Sequence, residues 1–360
     1  MAGKHGEPMN FASDNWAGVS PEISAALGEA GAGVAPSYSG DSATARTVER
    51  FRELFETDLE AFFVGTGTAA NSLALAAVAR PGGAIMAFCD SHLAADECNA
   101  TEFQTAGNKV VRLPGRLGRF SADTLAEALS LYPEGSVHHG RPVAVSVTQS
   151  TEIGTLYPLE EIRAIADLAH AHGLAVHMDG ARFANAVASL GVTPADASWK
   201  AGIDMMSFGA TKNGCWCADA VLFFDKSLVG DFEHLRMRGG HLMSKSRFVA
   251  EQFLAYLAEG HWLDLASRAN RAARRLADGI AASAFGRLAW PAEANEVFGV
   301  WTDAKSAELR AAGAVFYEWP FASARADAGP AEGENLLRLV TSFATTDEEV
   351  DAFLAVLNRS

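Results

Sequence analysis

Positive charge is scarce in this sequence: 29 Lys and Arg stand against 44 Asp and Glu, a formal net charge of −15. Such a chain repels polyphosphate on average, which argues against a nucleic-acid partner and requires any bound anion to be caught by a local arrangement. Long apolar runs are missing too; none approaches the roughly 18 residues a membrane span needs. The opening MAGKHGEPMNFASDNW has no apolar core like that of a secretory signal, so the cytoplasm is the expected compartment and no membrane partner is expected. Cysteine is sparse. Cys89, Cys98, Cys215 and Cys217 form no CxxC pair and have no histidines at zinc-ligand spacing, so neither a disulfide framework nor a metal site is expected. They read as reduced, with Cys215 and Cys217 flanking Trp216 near enough to Lys212 to line a pocket. Low-complexity tracts are also absent, and 49% hydrophobic with 20% charged residues is the composition of a packed globular body.

What is present is a repeated alternation. A length of 360 residues points to two unequal domains. From about residue 60, short apolar runs ending in Gly or polar residues are each followed by helix-patterned stretches, the signature of a mostly parallel sheet. The runs are AFFVG (61–65), AIMAF (84–88), VVRL (110–113), PVAVSV (142–147), LAVHM (174–178), MMSFG (205–209) and AVLFF (220–224). Several show no alternation, as strands covered on both faces should. One connecting helix starts at Pro158, repeats Ile162, Ile165, Ala166 and Ala169 at helical spacing, and ends at Gly173. After about residue 250 the pattern changes to a long Arg/Ala-rich helix (264–283), strand-like VFGVW, AVFYEW and LLRLV, and a closing helix from Asp347. The expected division is an N-terminal segment 1–15 that contributes to the site, a large α/β domain 16–250 with a seven-stranded sheet, and a smaller α+β domain 251–360.

Three motifs sit where strands of such a sheet end, the edge at which open α/β sheets bind ligands. GTGTAANS (Gly65 to Ser72) joins an apolar run to an Ala/Leu-rich helix; its small residues admit a phosphate to backbone N–H groups, with Thr66 and Thr68 as hydroxyl donors. It is neither a Walker A loop nor GxGxxG, and alone it reads first as a plain strand-to-helix turn. HMDGAR places Asp179 at a strand end with Arg182 behind it. Such an Asp commonly caps a helix or binds a metal, but it can also pair with a pyridinium nitrogen and keep it protonated. SFGATKNG places Lys212 after a buried run, where desolvation lowers an amine's pKa and frees it for a Schiff base. A lone lysine is commonly a surface charge; the ordered trio of loop, Asp and Lys is far more specific than any member.

With these residues in place, the sequence resembles the threonine aldolases, of the aspartate-aminotransferase-like, fold type I class of pyridoxal 5'-phosphate enzymes. FASDN, GTAANS, SHLAADE, HMDGARFANA, KAGID followed by SFGATKNG, and LLRLVTSF fall in the family's order over nearly the whole chain. It is most similar to the bacterial branch of low-specificity L-threonine and phenylserine aldolases. The resemblance implies that Lys212 carries the cofactor and Asp179 pairs with its ring nitrogen. It further implies that Arg182 bonds the ring hydroxyl side, that Gly67, Thr68 and Ala69 hold the phosphate, and that His92 stacks on the ring near the substrate hydroxyl. His138 matches a second family histidine facing that hydroxyl, with His139 leaving the placement open by a residue. Ser13 and Arg338 would hold the substrate carboxylate, a role suited to the guanidinium fork. Tyr38, Lys245 and Arg247 would approach from a neighbouring subunit of a homodimer or homotetramer. Glu97 is a lesser candidate for polarising a water or His92. CWCADA after Lys212 departs from the family's smaller residues, and Trp216 either reshapes the aldehyde pocket or packs beneath the strand.

The implied reaction is retro-aldol cleavage of L-threonine, L-allo-threonine or L-phenylserine to glycine and an aldehyde, and its reverse. Another pyridoxal-phosphate β-eliminating lyase or an aminotransferase on the same scaffold is the alternative. A binding protein without turnover and a nucleotide-dependent oxidoreductase are weaker readings, the latter disfavoured by the missing glycine pattern.

Overall fold

A computed structural model describes residues 9–360; positions 1–8 of the expected N-terminal segment lie outside the described residues. Each of the seven apolar runs forms a strand: β1 (Glu60–Val64), β2 (Gly83–Phe88), β3 (Lys109–Leu113), β4 (Arg141–Thr148), β5 (Ala175–Gly180), β6 (Met205–Gly209) and β7 (Asp219–Phe223). They make one sheet in the order β1-β7-β6-β5-β4-β2-β3. Pairing is parallel from β3 across to β6, while β7 runs antiparallel to both neighbours.

Strands β2, β5, β6 and β7 are buried along their whole lengths. Their unbroken apolar runs follow from cover on both faces: Phe51, Phe183, Phe208 and Phe253 pack in one core, Leu73, Ala74, Phe223 and Phe232 in another. Phe208 of β6 meets the ring edges of Phe51, Phe55 and Phe183 at 5.3–6.0 Å, contacts worth about 0.5–1.5 kcal/mol each beyond area burial.

The strands hand over to α1 (Gly67–Ala77) after β1 and α2 (His92–Ala95) after β2. Helix α3 (Leu159–Ala171) follows β4 with Pro158 at its cap and Ile162, Ile165, Ala166 and Ala169 buried. Where β5 and β6 end, two glycines set the spacing of the loops that follow. A Cβ on Gly180 would stand 2.5 Å from the Ser207 carbonyl oxygen, and one on Gly209 would stand 2.8 Å from the Ala181 Cα. Only glycine permits this approach, and it brings Asp179 and Lys212 to one cavity.

The second sheet is antiparallel: β8 (Arg287–Leu288), β9 (Glu296–Thr302), β10 (Tyr317–Glu318) and β11 (Glu334–Val340), in the order β10-β11-β9-β8. Helices α4 (Arg247–Leu257), α5 (His261–Ala281) and α6 (Asp347–Leu357) complete the C-terminal half. Trp262, Leu265 and Ala266 of α5 belong to the large core, whereas Ala273, Leu276, Ala277 and Ile280 belong to the small one. The packing therefore changes hands inside α5. Met9–Asn10 pairs in parallel with Ala314–Val315, so the start of the described chain is anchored on the small sheet's side. Among the described residues, no helix is long and apolar enough to cross a membrane.

Candidate active site

A cavity of about 280 Å³ opens at the carboxyl edge of the large sheet, with Thr66, Gly67, Thr68, His92, Asp179 and Lys212 in its wall. At one end α1 points its N-terminus inward. Its first N–H groups, those of Gly67 and Thr68, have no acceptor within the helix. The N–H of Ala69 donates to the Thr66 hydroxyl at 3.2 Å, and Ala69 is buried. The loop is fixed from behind: the Gly65 N–H donates to His241 Nδ1, and the Cys217 thiol donates to the Gly65 carbonyl, both at 3.1 Å. Asp219, unnoticed in the sequence, lies under this end and accepts from the Thr211 hydroxyl at 2.8 Å. Burial raises its pKa to about 6 against the pull of Thr211 and Lys212.

At the middle, Asp179 accepts from Asn71 Nδ2 at 2.7 Å and from the Ala181 N–H at 2.9 Å. Burial would raise its pKa, but His92, Ala181, Lys212 and Asn71 together hold it below the ordinary value, so it stays ionised. His177 behind it is bonded to Ser146 at 2.9 Å and held neutral by burial, with a pKa of about 4. Lys212 is left out of the neighbouring ion pairs. Burial and the Arg182 charge depress its pKa, opposed by Asp14, Asp179 and Glu296. Asn71 also donates to Glu97 at 2.9 Å, and His92 Nδ1 meets the same Glu97 oxygen at 2.8 Å. Burial disfavours the His92 cation, but Glu97 and Asp179 outweigh it and keep its pKa above the usual histidine value. His92, Glu97 and Asp179 offer ligand atoms within 4.8 Å of one another, and the Asn71 amide bridges the two carboxylates.

At the third side, Arg182 Nε and Nη2 donate to Asp14 at 2.7 and 3.1 Å, and Nη1 stands 3.2 Å from Glu296. Arg338, on the central strand β11, reaches the same Glu296 at 3.9 Å, donates to the Ala12 carbonyl at 3.5 Å and lies over Trp319. Ser13 caps the short turn Asp14–Trp16 beside them. Both oxygens of the buried Glu296 lack a hydrogen bond among the described residues, and burial keeps its pKa raised despite Arg182 and Arg338. The structure thus gives Arg182 two carboxylates as partners and brings Ser13 and Arg338 together.

Other expected residues lie outside this cavity. His138 and His139 are exposed in the turn ahead of β4, at the sheet edge opposite the cavity. Trp216 is 65% exposed, neither lining the cavity nor packing beneath a strand. Tyr38, Lys245 and Arg247 sit together outside this cavity, tied by the Tyr38 N–H to the Ser244 carbonyl at 3.1 Å. The sequence reading missed Asn71, Glu152, Asp219 and Glu296. Asn71 lay inside a recognised motif, and Glu152 follows a strand run, so acidic residues at strand ends were the available signal.

The donor set fits pyridoxal 5'-phosphate: free helix N–H groups for a phosphate, a carboxylate held ionised for a ring nitrogen, and an amine with a depressed pKa. Gly67 keeps the phosphate end open, since a Cβ there would approach only Asp219, at 4.0 Å.

The profile of the beta-eliminating lyase family matches residues 10–303. The chain is 42% identical over 309 residues to the low specificity L-threonine aldolase of Pseudomonas aeruginosa, covering 86% of this chain and 89% of that one. Against the low specificity L-threonine aldolase of a Pseudomonas sp. the identity is 40% over 311 residues, 86% and 89% of the two chains. The solved threonine aldolase of Leishmania major superposes with a TM-score of 0.89 at 30% identity over 97% of this chain and 98% of that one. The serine palmitoyltransferase of Sphingomonas wittichii shares the fold, with a TM-score of 0.69 at 20% identity over 97% and 86%.

Proposed function

We propose, starting from a chain that belongs to the beta-eliminating lyase family and to its threonine aldolase branch, that it cleaves L-threonine-type β-hydroxy-α-amino acids to glycine and an aldehyde, and runs the reverse addition. It is a carbon–carbon lyase dependent on pyridoxal 5'-phosphate. The observation that carries the residue assignment is the placing of Lys212, Asp179 and the α1 N-terminus on the wall of one cavity.

When bound, the cofactor supplies a conjugated, electron-accepting ring that takes up the electron pair released at Cα as Cα–Cβ breaks. Lys212 is the amine that would hold it. Asp179 would hold a proton on the ring nitrogen, the turn from Thr66 through Gly67 and Thr68 to Ala69 would hold the phosphate, and His92, braced by Glu97, would stand against the ring near the substrate hydroxyl. Ser13 and Arg338 hold the substrate carboxylate beside Arg182, which fixes the orientation of the bond to be broken. L-Threonine, L-allo-threonine and L-phenylserine form the proposed substrate range. We read the active form as a cytoplasmic homodimer or homotetramer; support comes from Tyr38, 56% exposed and clustered with Lys245 and Arg247 away from its own cavity. Purified protein given L-threonine should yield glycine and acetaldehyde in equal amounts. Ammonia with a 2-oxo acid would assign it to the eliminating reaction instead.

A further inference from the structure

Cleavage of a β-hydroxy amino acid needs a group that takes the hydroxyl proton; of the two histidines expected near it, His92 is in the cavity wall and already bonded to Glu97, while His138 lies at the opposite edge of the sheet. The loop at the right edge, directly after β4, carries Glu152. One of its carboxyl oxygens, Oε1, is fully engaged: it accepts from the His92 N–H and from the Thr148 hydroxyl, both at 2.8 Å. The other, Oε2, is closed off from bulk solvent and has no partner among the described residues. Ser91 makes no side-chain cap for α2, so Glu152 caps that helix from across the site and stands at the root of His92. A cap needs one oxygen and would be served by an amide. A carboxyl oxygen buried without a partner is costly to leave and calls for an explanation, of which a role toward a bound molecule is one.

We propose that Glu152 is the residue that takes the proton of the substrate's β-hydroxyl, with Oε2 as the accepting atom. The proposal rests on the aldolase reading and adds the identity of the base to it. The hydroxyl O–H bond gives its proton to Oε2, and its electron pair becomes the second bond of the aldehyde carbonyl. The Cα–Cβ pair stays with the glycyl carbon, which takes up one proton while Oε2 releases the one it gained, so the cycle consumes none. The charged and titratable groups around Glu152 are His92 on α2, Asp179 on β5 and Tyr157 at the start of α3. Burial, with Asp179 adding to it, raises the carboxyl to about 7, against the bonds from the His92 N–H and Thr148. A base with that pKa is about half ionised near neutral pH.

The test separates the hydroxyl step from the rest of the chemistry. Glycine has no hydroxyl, so exchange of its α-hydrogen in deuterium oxide, followed by NMR, needs the cofactor and Lys212 but no hydroxyl base. With the holoenzyme, Glu152→Gln should lower kcat for L-threonine cleavage by about 10²–10⁴-fold while glycine exchange stays within about threefold of wild type. Equal losses in both reactions would mean that Glu152 only positions His92, and unchanged cleavage would mean that it does neither; both overturn the proposal. Should Glu152→Gln not fold, Thr148→Val decides. Loss of that hydrogen bond raises the Glu152 pKa, so the ascending limb of kcat/KM for cleavage should move to higher pH while the glycine exchange profile stays put; an unmoved limb overturns the assignment. Failure of the wild type to form glycine and aldehyde at all would refute the aldolase reading instead.

Discussion

Replacing Arg182 with methionine tests the electrostatic frame on which the substrate-carboxylate side is built. Arg182 gives Asp14 two hydrogen bonds at 2.7 and 3.1 Å and stands 3.2 Å from Glu296, and all three side chains are at most 10% exposed. Methionine retains much of the volume and none of the charge. Asp14 would keep Asn295 Nδ2 at 3.1 Å and Glu296 would keep Arg338 at 3.9 Å, neither of which replaces a buried cation. Removing one partner of a buried pair costs about 3–5 kcal/mol. Unfolding entropy of about 2.1 cal/mol/K per residue, summed over the chain, is roughly 0.8 kcal/mol/K, so Tm should fall by about 4–7 °C. The sign of the pH dependence follows from the pKa directions. In the wild type Arg182 holds Asp14 below its ordinary value despite burial, so that stabilisation is present above the unfolded carboxylate pKa and fades only as pH falls through the folded one. In the variant the two stranded carboxylates titrate above ordinary values, so the deficit is largest near pH 7.5 and shrinks toward pH 5 as they protonate. Thermal unfolding followed by circular dichroism on cofactor-free protein at both pH values reads this directly, without ligand linkage. A Tm unchanged at pH 7.5, or a deficit that grows on acidification, would refute the reasoning.

Three further outcomes are expected. Asp219 has a pKa of about 6, so above it an ionised carboxylate faces the bound phosphate and cofactor affinity should weaken as pH rises. Asp219→Asn should flatten that dependence and tighten Kd at pH 8 by at least about tenfold, equivalent to ~1.4 kcal/mol, in a fluorescence titration of apoprotein. Glu97→Gln takes from His92 the carboxylate that helps hold its pKa up, so the His92 titration followed by NMR should move to lower pH; no movement would disconnect the pair. His138→Ala, at an exposed turn on the far edge, should leave kcat/KM within about twofold of wild type, and a hundredfold loss would return the base assignment to that residue.

Much of the fold was legible because covered strands must read as continuous apolar runs, and every run named in the sequence became a strand of the large sheet. Lys212, Asp179 and the Thr66–Thr68 loop were legible for a related reason: each lies at or just past the end of a strand of the large sheet, so its position at the ligand-binding edge needs no knowledge of distant contacts. Asp14, Glu296 and Arg338 meet only in space, through hydrogen bonds and ion pairs spanning most of the chain, and nothing local marks Glu296 as buried. His138 shows the opposite failure. Residue type drew attention to a histidine before β4, but strand direction decides which end of β4 lies toward the cavity, and the acidic residue that follows that end is Glu152. Trp216 misled by size: the backbone N–H groups of Trp216 and Cys217 are held by the Gln252 side chain at 2.8 and 3.1 Å, and the indole is left outside.

The central claim is that Lys212 carries the cofactor. Treating the yellow holoenzyme with borohydride fixes an imine as a stable amine, and peptide mapping by mass spectrometry then locates it. The account requires the pyridoxyl mass on the peptide containing SFGATKNG, at Lys212, and its loss together with the visible absorbance in a folded Lys212→Ala variant. The label on another lysine, or colour retained in that variant, would contradict it.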